Sequence, residues 1–368
     1  MPSTTALALL GLASSLLPQA FAQTWTSCNP LNQTDCPVDA AFGTNATFSF
    51  NETSADSAIW NTTAGTVDYT STGAEFTINE RGESPTISSN FYIFFGKVSV
   101  IMKSAAGQGI VSSIVLESDD LDEVDFEWIG GNNTHWETNY FGKGNTTSYD
   151  RAVWYPVDDP QGTFHNYTVD WTKEKIDWYA DGNLVRTLMY ADANGGDNFP
   201  QTPMAVKIGI WAGGDPDAND YWTVQWAGGE TDYKDTPYTM TVQSVYIEDY
   251  TTAKSYKYGD ETGSWESIIV NNGTSAAEKE MTEPHTLAEH WAALPAAARV
   301  VIPVVCAASV AGVLAVLAFC CIKHRREGRK VHKIADEQWQ KEQEELLEYK
   351  NKMRVGEFAI EGGSGKRF

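Results

Sequence analysis

The sequence predicts an all-β ectodomain, a jelly-roll sandwich, followed by a single C-terminal transmembrane helix. Two observations carry the first half. Between residues 25 and 270, short runs rich in Val, Ile, Thr, Tyr, Phe and Trp recur between turn signals, and no long stretch there repeats its apolar residues at helical spacing. A third observation carries the second half. Residues 300–322 contain no charge, and at about 1.5 Å per residue they span roughly 34 Å, enough for a hydrocarbon core of about 30 Å.

The elements follow in chain order. Residues 6–17 are apolar, and Ala20-Phe21-Ala22 supplies the small residues signal peptidase needs, so residues 1–22 read as a signal peptide cleaved before Gln23. A buried N-terminal helix is the alternative. Cys28 and Cys36 lie eight apart in what is then an oxidising compartment, where they can close a small loop as a disulfide. Strand-like runs follow at 47–50, 75–78, 91–102, 112–116, 123–129, 167–171, 176–179, 184–188, 205–211 and 239–250, with Asp181-Gly182-Asn183 as a hairpin turn. One large β domain over 23–270 accounts for them, without an internal repeat.

Residues 271–299 shift to Ala, Glu, Thr and Pro and read as a linker. In the span at 300–322, Pro303 is placed in the first turn, where its missing N–H costs little. Lys323, Arg325 and Arg326 follow at once, so residues 323–368 are expected to be a cytoplasmic tail. Its stretch 335–353 reads as a solvated helix, with a docking helix for a cytoplasmic partner as the alternative, carried by Trp339, Leu346 and Leu347. Cys306, Cys320 and Cys321 lie in the span, the last two at its cytoplasmic edge, where palmitoylation and apolar packing are both open.

Eight sequons begin at Asn32, Asn45, Asn51, Asn61, Asn132, Asn145, Asn166 and Asn272, all before the span. Charge divides at the same place. The formal net charge of -23 resolves into 14 Lys/Arg against 40 Asp/Glu before Lys323, and 12 against 9 from Lys323 onward. A body this acidic excludes electrostatic binding to nucleic acid. The 42% apolar and 12% aromatic composition excludes a disordered chain.

The chemistry concentrates in Asp122-Glu123-Val124-Asp125-Phe126-Glu127-Trp128-Ile129-Gly130. On a strand, Glu123, Asp125 and Glu127 share one face, and Val124, Phe126 and Trp128 share the other. Same-face neighbours stand about 7 Å apart, so three ionised carboxylates repel one another and at least one pKa rises. A retaining glycosidase needs this pairing of an ionised nucleophile with a protonated acid. Across Glu123 and Glu127, with Cα atoms about 13 Å apart, both side chains must lean over Asp125. A solvent-facing acidic stripe and a nonstandard calcium site are the other readings. The six His show no metal-ligand spacing, and neither a Ser/His/Asp arrangement nor a phosphate-cradling loop is present. No metal and no cofactor are therefore expected.

The segment resembles the E-x-D-x-E signature of glycoside hydrolase family 16, in its form without a bulge. The flanks narrow the resemblance: Cys28-Asn29-Pro30-Leu31 with Cys36-Pro37, Thr138-Asn139-Tyr140-Phe141-Gly142-Lys143-Gly144, Trp178-Tyr179-Ala180-Asp181-Gly182, Gly209-Ile210-Trp211-Ala212-Gly213-Gly214, Trp226-Ala227-Gly228-Gly229 and Gly263-Ser264-Trp265. Together they are similar to the fungal Crh-type transglycosylases, which link chitin to β-glucan in the cell wall. The resemblance implies a jelly roll with a cleft on its concave face, Glu123 as nucleophile, Glu127 as acid/base and Asp125 as helper. It implies chitin as donor, β-glucan as acceptor, and Lys207, Trp211, Thr223, Trp226 and Tyr140 as substrate contacts beside Glu127. Read as a strand, the segment around Val224 would put Trp222 and Trp226 on one face with it, so core packing is the other reading for both.

Three features depart from the family pattern. A membrane span with a basic tail stands where the family usually ends in a GPI signal. Trp136-Glu137 stands where an apolar residue and Gln are expected, which adds an acid to the cleft. No Cys-rich chitin-binding module precedes the domain. Other functions carried by the same residues are an endo-acting chitinase or β-glucanase of this fold, a xyloglucan-type transferase, which usually has His where this chain has Leu121, and a lectin-like membrane sensor.

Overall fold

The computed structural model describes residues 26–148, 150–284 and 286–354. The expected signal peptide, 1–22, and the end of the tail, 355–368, lie outside the described residues. The chain divides into two compact units, Met1–Glu283 and Pro284–Phe368.

Among its described residues the first unit has eighteen strands: β1 (Asp39–Ala40), β2 (Asn45–Ser49), β3 (Trp60–Ala64), β4 (Val67–Tyr69), β5 (Ala74–Ile78), β6 (Thr86–Ile93), β7 (Gly96–Lys103), β8 (Ile110–Ser118) and β9 (Glu123–Ile129) in its first half. The second half adds β10 (His135–Phe141), β11 (Val153–Pro156), β12 (His165–Trp171), β13 (Lys175–Ala180), β14 (Asn183–Met189), β15 (Met204–Ala212), β16 (Tyr238–Asp249), β17 (Ser255–Tyr258) and β18 (Ile268–Asn271). One sheet of seven runs β11-β10-β9-β8-β15-β6-β3, and a second of eight runs β14-β13-β12-β7-β16-β5-β4 with β2 also on β16. A small third sheet joins β1, β17 and β18. Their facing sides share one apolar core, in which Phe76, Val98, Ile114, Phe126, Trp128, Trp136, Tyr167, Trp171, Ile208 and Val245 are almost fully buried. This is the sandwich that the alternating runs predict.

Three expected elements differ. Residues 91–102 are two strands, not one: β6 belongs to the seven-stranded sheet and β7 to the eight-stranded sheet, and the chain crosses between them at Phe94 and Phe95, where Phe95 takes φ 57°. Both halves are apolar because both face the core, so periodicity alone does not mark the crossing. The segment around Val224 is a helix, α1 (Tyr221–Trp226), whose N-cap Asp220 accepts from Trp222 N at 2.8 Å and Thr223 N at 2.9 Å. The expected linker is folded at its start: β18 reaches Asn271, Ser275 Oγ donates to Phe42 O at 2.6 Å, and Ala277 of α2 (Ala276–Thr282) is buried. The first unit thus extends past residue 270 to Glu283.

Cys28 and Cys36 form the expected disulfide, with Cα atoms 5.6 Å apart. None of the eight sequon asparagines is buried, and Asn32, Asn45, Asn61 and Asn272 are exposed. The second unit holds α3 (Leu287–Ala293) and α4 (Ala296–Arg354), a continuous helix of 59 residues. At about 1.5 Å per residue it is roughly 88 Å long, far more than a bilayer needs. It is long and apolar enough in its first half to cross a membrane, and the span expected at 300–322 lies within it. Because the helix begins at Ala296, Pro303 lies inside it rather than in its first turn, and the carbonyl one turn back loses its N–H partner. The helix continues without a break through the charged stretch that carries Trp339, Leu346 and Leu347, all exposed.

Candidate active site

The site is laid out by the register of the seven-stranded sheet. Residues directly opposite in an antiparallel pair point to the same face, so each row can be read across the strands. Glu137 of β10 stands opposite Glu127 of β9, which stands opposite Ser113 of β8. The next row holds Asn139, Asp125, Val115 and Lys207, and the next holds Phe141, Glu123 and Glu117. Glu123, Asp125 and Glu127 therefore share one face, as alternation requires. Val124, Phe126 and Trp128 lie beneath in the core, where Phe126, Trp128 and Trp136 are nearly parallel, with centroids 5.7 to 6.5 Å apart. This stack stiffens the floor that the carboxylates stand on. Gly130, just past the strand, has no room for a side chain, since a Cβ there would lie 2.4 Å from Gly107 O.

The start of β9 is clamped as firmly. Asp122, fully buried, accepts from Lys143 N at 2.9 Å through one oxygen, and from Gln201 N, Thr202 N and Thr202 Oγ1 at 2.7, 3.0 and 2.8 Å through the other. Asp120 beside it accepts from Ser118 and Tyr258 and shares the Thr202 hydroxyl. Two loops are thereby tied to the residue preceding Glu123.

Electrostatics separates the three acids. Burial, then the charges of Glu123 and Glu127, pushes Asp125 well above the usual carboxylate range, and its hydrogen bond to Glu123 favours the protonated form further. Burial, then Glu137 and Glu123, pushes Glu127 well up too. Glu137 is itself raised by burial, an effect reduced by its hydrogen bond from Trp226 Nε1 at 2.9 Å and by Arg186. Glu117, beside Glu123, is ion-paired with Lys207. The arrangement favours the protonated form of both Asp125 and Glu127, and Asp125 is hydrogen-bonded to Glu123 beside it. Among the described residues, no group of three or more His, Cys, Asp or Glu side chains is disposed to hold a metal ion.

The comparisons with known proteins bear directly on this row of acids. Residues 54–228 match the profile of glycosyl hydrolases family 16. Crh-like protein 2 of Botryotinia fuckeliana is 53% identical to this chain over 97% of its length and 79% of the relative's. The chain belongs to the Crh-like proteins of glycosyl hydrolases family 16. The Crh-like protein of Arthroderma benhamiae is 47% identical over 93% of both chains. Among solved structures, the Crh5 transglycosylase in complex with NAG is 54% identical with a TM-score of 0.64, covering 66% of this chain and all of that one. This Crh-like chain is accordingly a cell-wall enzyme of the glycoside hydrolase and transglycosylase kind, acting on polysaccharide.

The sequence-predicted substrate contacts of the Crh-like chain fall into two groups. Lys207 stands in the Asp125 row, and Trp211 at the end of β15 stacks on Trp226 of α1, with centroids 6.0 Å apart at 26°. Thr223, one turn before Trp226, is half-buried on the same helix. Tyr140 does not join them. Its strand position is opposite Val124, so its ring points into the core, with the guanidiniums of Arg186 and Arg151 over it at 5.4 and 5.8 Å. Its neighbour Asn139 takes the cleft-facing place. Trp154 of β11 also faces the cleft, opposite Glu137 and 38% exposed. The sequence carries no signal for this placement, because β11 is four residues long with weak alternation.

Proposed function

We propose that this chain is a retaining transglycosylase that cleaves chitin as donor and transfers it to a β-glucan acceptor. The observation that supports this most is the row of acids along β9: Glu123, Asp125 and Glu127 share the cleft face of a Crh-like domain, and their crowding and burial favour the protonated form of Asp125 and Glu127. The NAG-bound Crh5 transglycosylase, 54% identical, supports the donor side. In the first step a Glu123 oxygen forms a bond to the anomeric carbon. The glycosidic C–O bond breaks, and the Glu127 proton passes to the leaving oxygen. In the second, Glu127 takes the proton of the acceptor hydroxyl, whose oxygen bonds to the anomeric carbon as the ester to Glu123 breaks. Two inversions leave the configuration retained. Water in place of the acceptor gives hydrolysis, the alternative outcome for a domain of this fold. Asp125 donates to Glu123 and moderates its charge between the two steps. Lys207, Trp211, Thr223 and Trp226 bind the donor, with flat rings against the C–H faces of the sugars.

The deciding experiment gives the full chain, in detergent, chitin oligosaccharides and a fluorescent laminari-oligosaccharide. A hybrid product is expected, and Glu123→Gln is expected to abolish it. Undiminished product from that variant would sink the mechanism. For the anchor, the basic cluster after residue 322 supports a wall-facing N-terminal domain and a cytoplasmic tail. Protease added to intact spheroplasts should leave the tail protected, and its digestion from outside refutes that orientation.

A further inference from the structure

We infer that Trp222, buttressed by Tyr221, forms an outer carbohydrate subsite that holds the chitin donor beyond the inner cleft; the inference rests on the donor reading proposed above. The helix that carries both rings is anchored at three points. Asp220 caps its start, Val224 and Ala227 are buried, and Trp226 donates to Glu137. Trp226 therefore faces the cleft, against Trp211. Trp222 lies four residues earlier, so it is rotated only about 40° from Trp226 and displaced along the axis by about 6 Å. It is thus the next ring on nearly the same side of the helix, exposed where Trp226 is half-buried.

The exposure of this pair is what calls for a ligand. Trp222 is 77% exposed and Tyr221 66%, and their rings meet edge to face at 5.2 Å and 76°. Solvent-facing Trp of this extent is uncommon, and here the ring is held on a short capped helix rather than on a free loop. The contact with Tyr221 restricts the indole without covering it. A pyranose ring of the donor presents an apolar C–H face that fits such a platform, and an uncharged polysaccharide meets no repulsion from the acids around it. A lipid surface is the other partner for exposed aromatic rings. The surrounding segment disfavours it, since residues 215–232 carry Asp215, Asp217, Asp220, Glu230 and Asp232 and no Lys or Arg.

The test is equilibrium binding of chito-oligosaccharides, from dimer to octamer, to the full chain in detergent on the Glu123→Gln background. The affinity of the parent should keep rising beyond the length that fills the inner cleft. With Trp222→Ala the short oligomers should bind unchanged, and the long ones about three- to tenfold more weakly, the scale of one lost aromatic contact. Trp222→Phe should restore part of the gain, and an unchanged Tm should show that the fold is intact. Equal curves for parent and Trp222→Ala at every length overturn the subsite alone. No binding by the parent at any length overturns the donor reading and the subsite with it. In nanodiscs, quenching by spin-labelled lipid of the emission that Trp222→Phe removes would mark a membrane contact and also overturn the subsite.

Discussion

Glu137 stands directly across the sheet from Glu127, buried, with its carboxylate held by the indole N–H of Trp226. A second buried acid facing the proposed acid/base is electrostatically costly, and its effect is directional. Glu137 favours the protonated form of Glu127, and so does Glu123 from the same strand. The other charged groups on this part of the face are Asp125 and the Glu117–Lys207 pair, while Arg186, on β14 of the other sheet and bonded to Thr138, acts on Glu137 from the core side.

Replacing Glu137 with Gln should therefore shift the pH profile. Gln keeps an oxygen for the Trp226 N–H and removes the charge. The Glu127 pKa then falls, and the alkaline limb of kcat/KM moves to lower pH by about one unit. The acid limb, set by the nucleophile, should move less. Profiles of the two enzymes that superimpose on the alkaline side would show that Glu137 does not tune the acid.

Asp122 should act as a positioning residue. Its carboxylate collects three backbone N–H groups and a hydroxyl from two loops, immediately before Glu123. Asp122→Ala leaves those buried donors unsatisfied, at a cost of about 3 to 5 kcal/mol. Asp122→Asn keeps an oxygen for the Gln201 and Thr202 donors and opposes only the Lys143 N–H, so it should fold. It is expected to lower kcat while KM for the donor stays near the parent value. A KM change with kcat intact would place Asp122 in substrate binding instead.

These two residues also mark where the sequence stops being informative. Alternation on β9 is enough to put Glu123, Asp125 and Glu127 on one face, because the period of two is a local property of the backbone. The pairing of Glu137 with Glu127 depends on register across β10, and the Asp122 clamp depends on loops 21 and 79–80 residues away. Neither leaves a local signal. Tyr140 shows the same limit: its motif was legible, but only the register with Val124 reveals that it turns into the core. The helix α1 has the composition of a strand, since Tyr, Trp, Thr and Val favour strands, while the Asp220 cap that decides the matter is a single side chain. The long apolar helix that holds 300–322, by contrast, is legible from composition, since a run without charge needs no tertiary partner to be recognised.

Buried acids outside the catalytic row, on β1 and in the turn after β8, predict how stability varies with pH. Asp39 is buried near Asp119 and Asp120, and burial first, then those two charges, raises its pKa from 3.8 to about 8. A carboxyl that is harder to ionise folded than unfolded favours the native state below the unfolded pKa, and that contribution is lost as pH rises towards the folded value. The window is thus about pH 4 to 8, and stability should decline across it. Asp39→Asn mimics the protonated form, so it should match the parent near pH 4 and exceed it near pH 8, by on the order of 2 to 4 kcal/mol. Some slope should remain in the variant, because burial also raises Asp119, Asp120 and Asp122. Thermal unfolding of both chains at several pH values decides the matter. Parallel curves would mean that Asp39 ionises in the folded protein without penalty, and that the acidic stability comes from the remaining three.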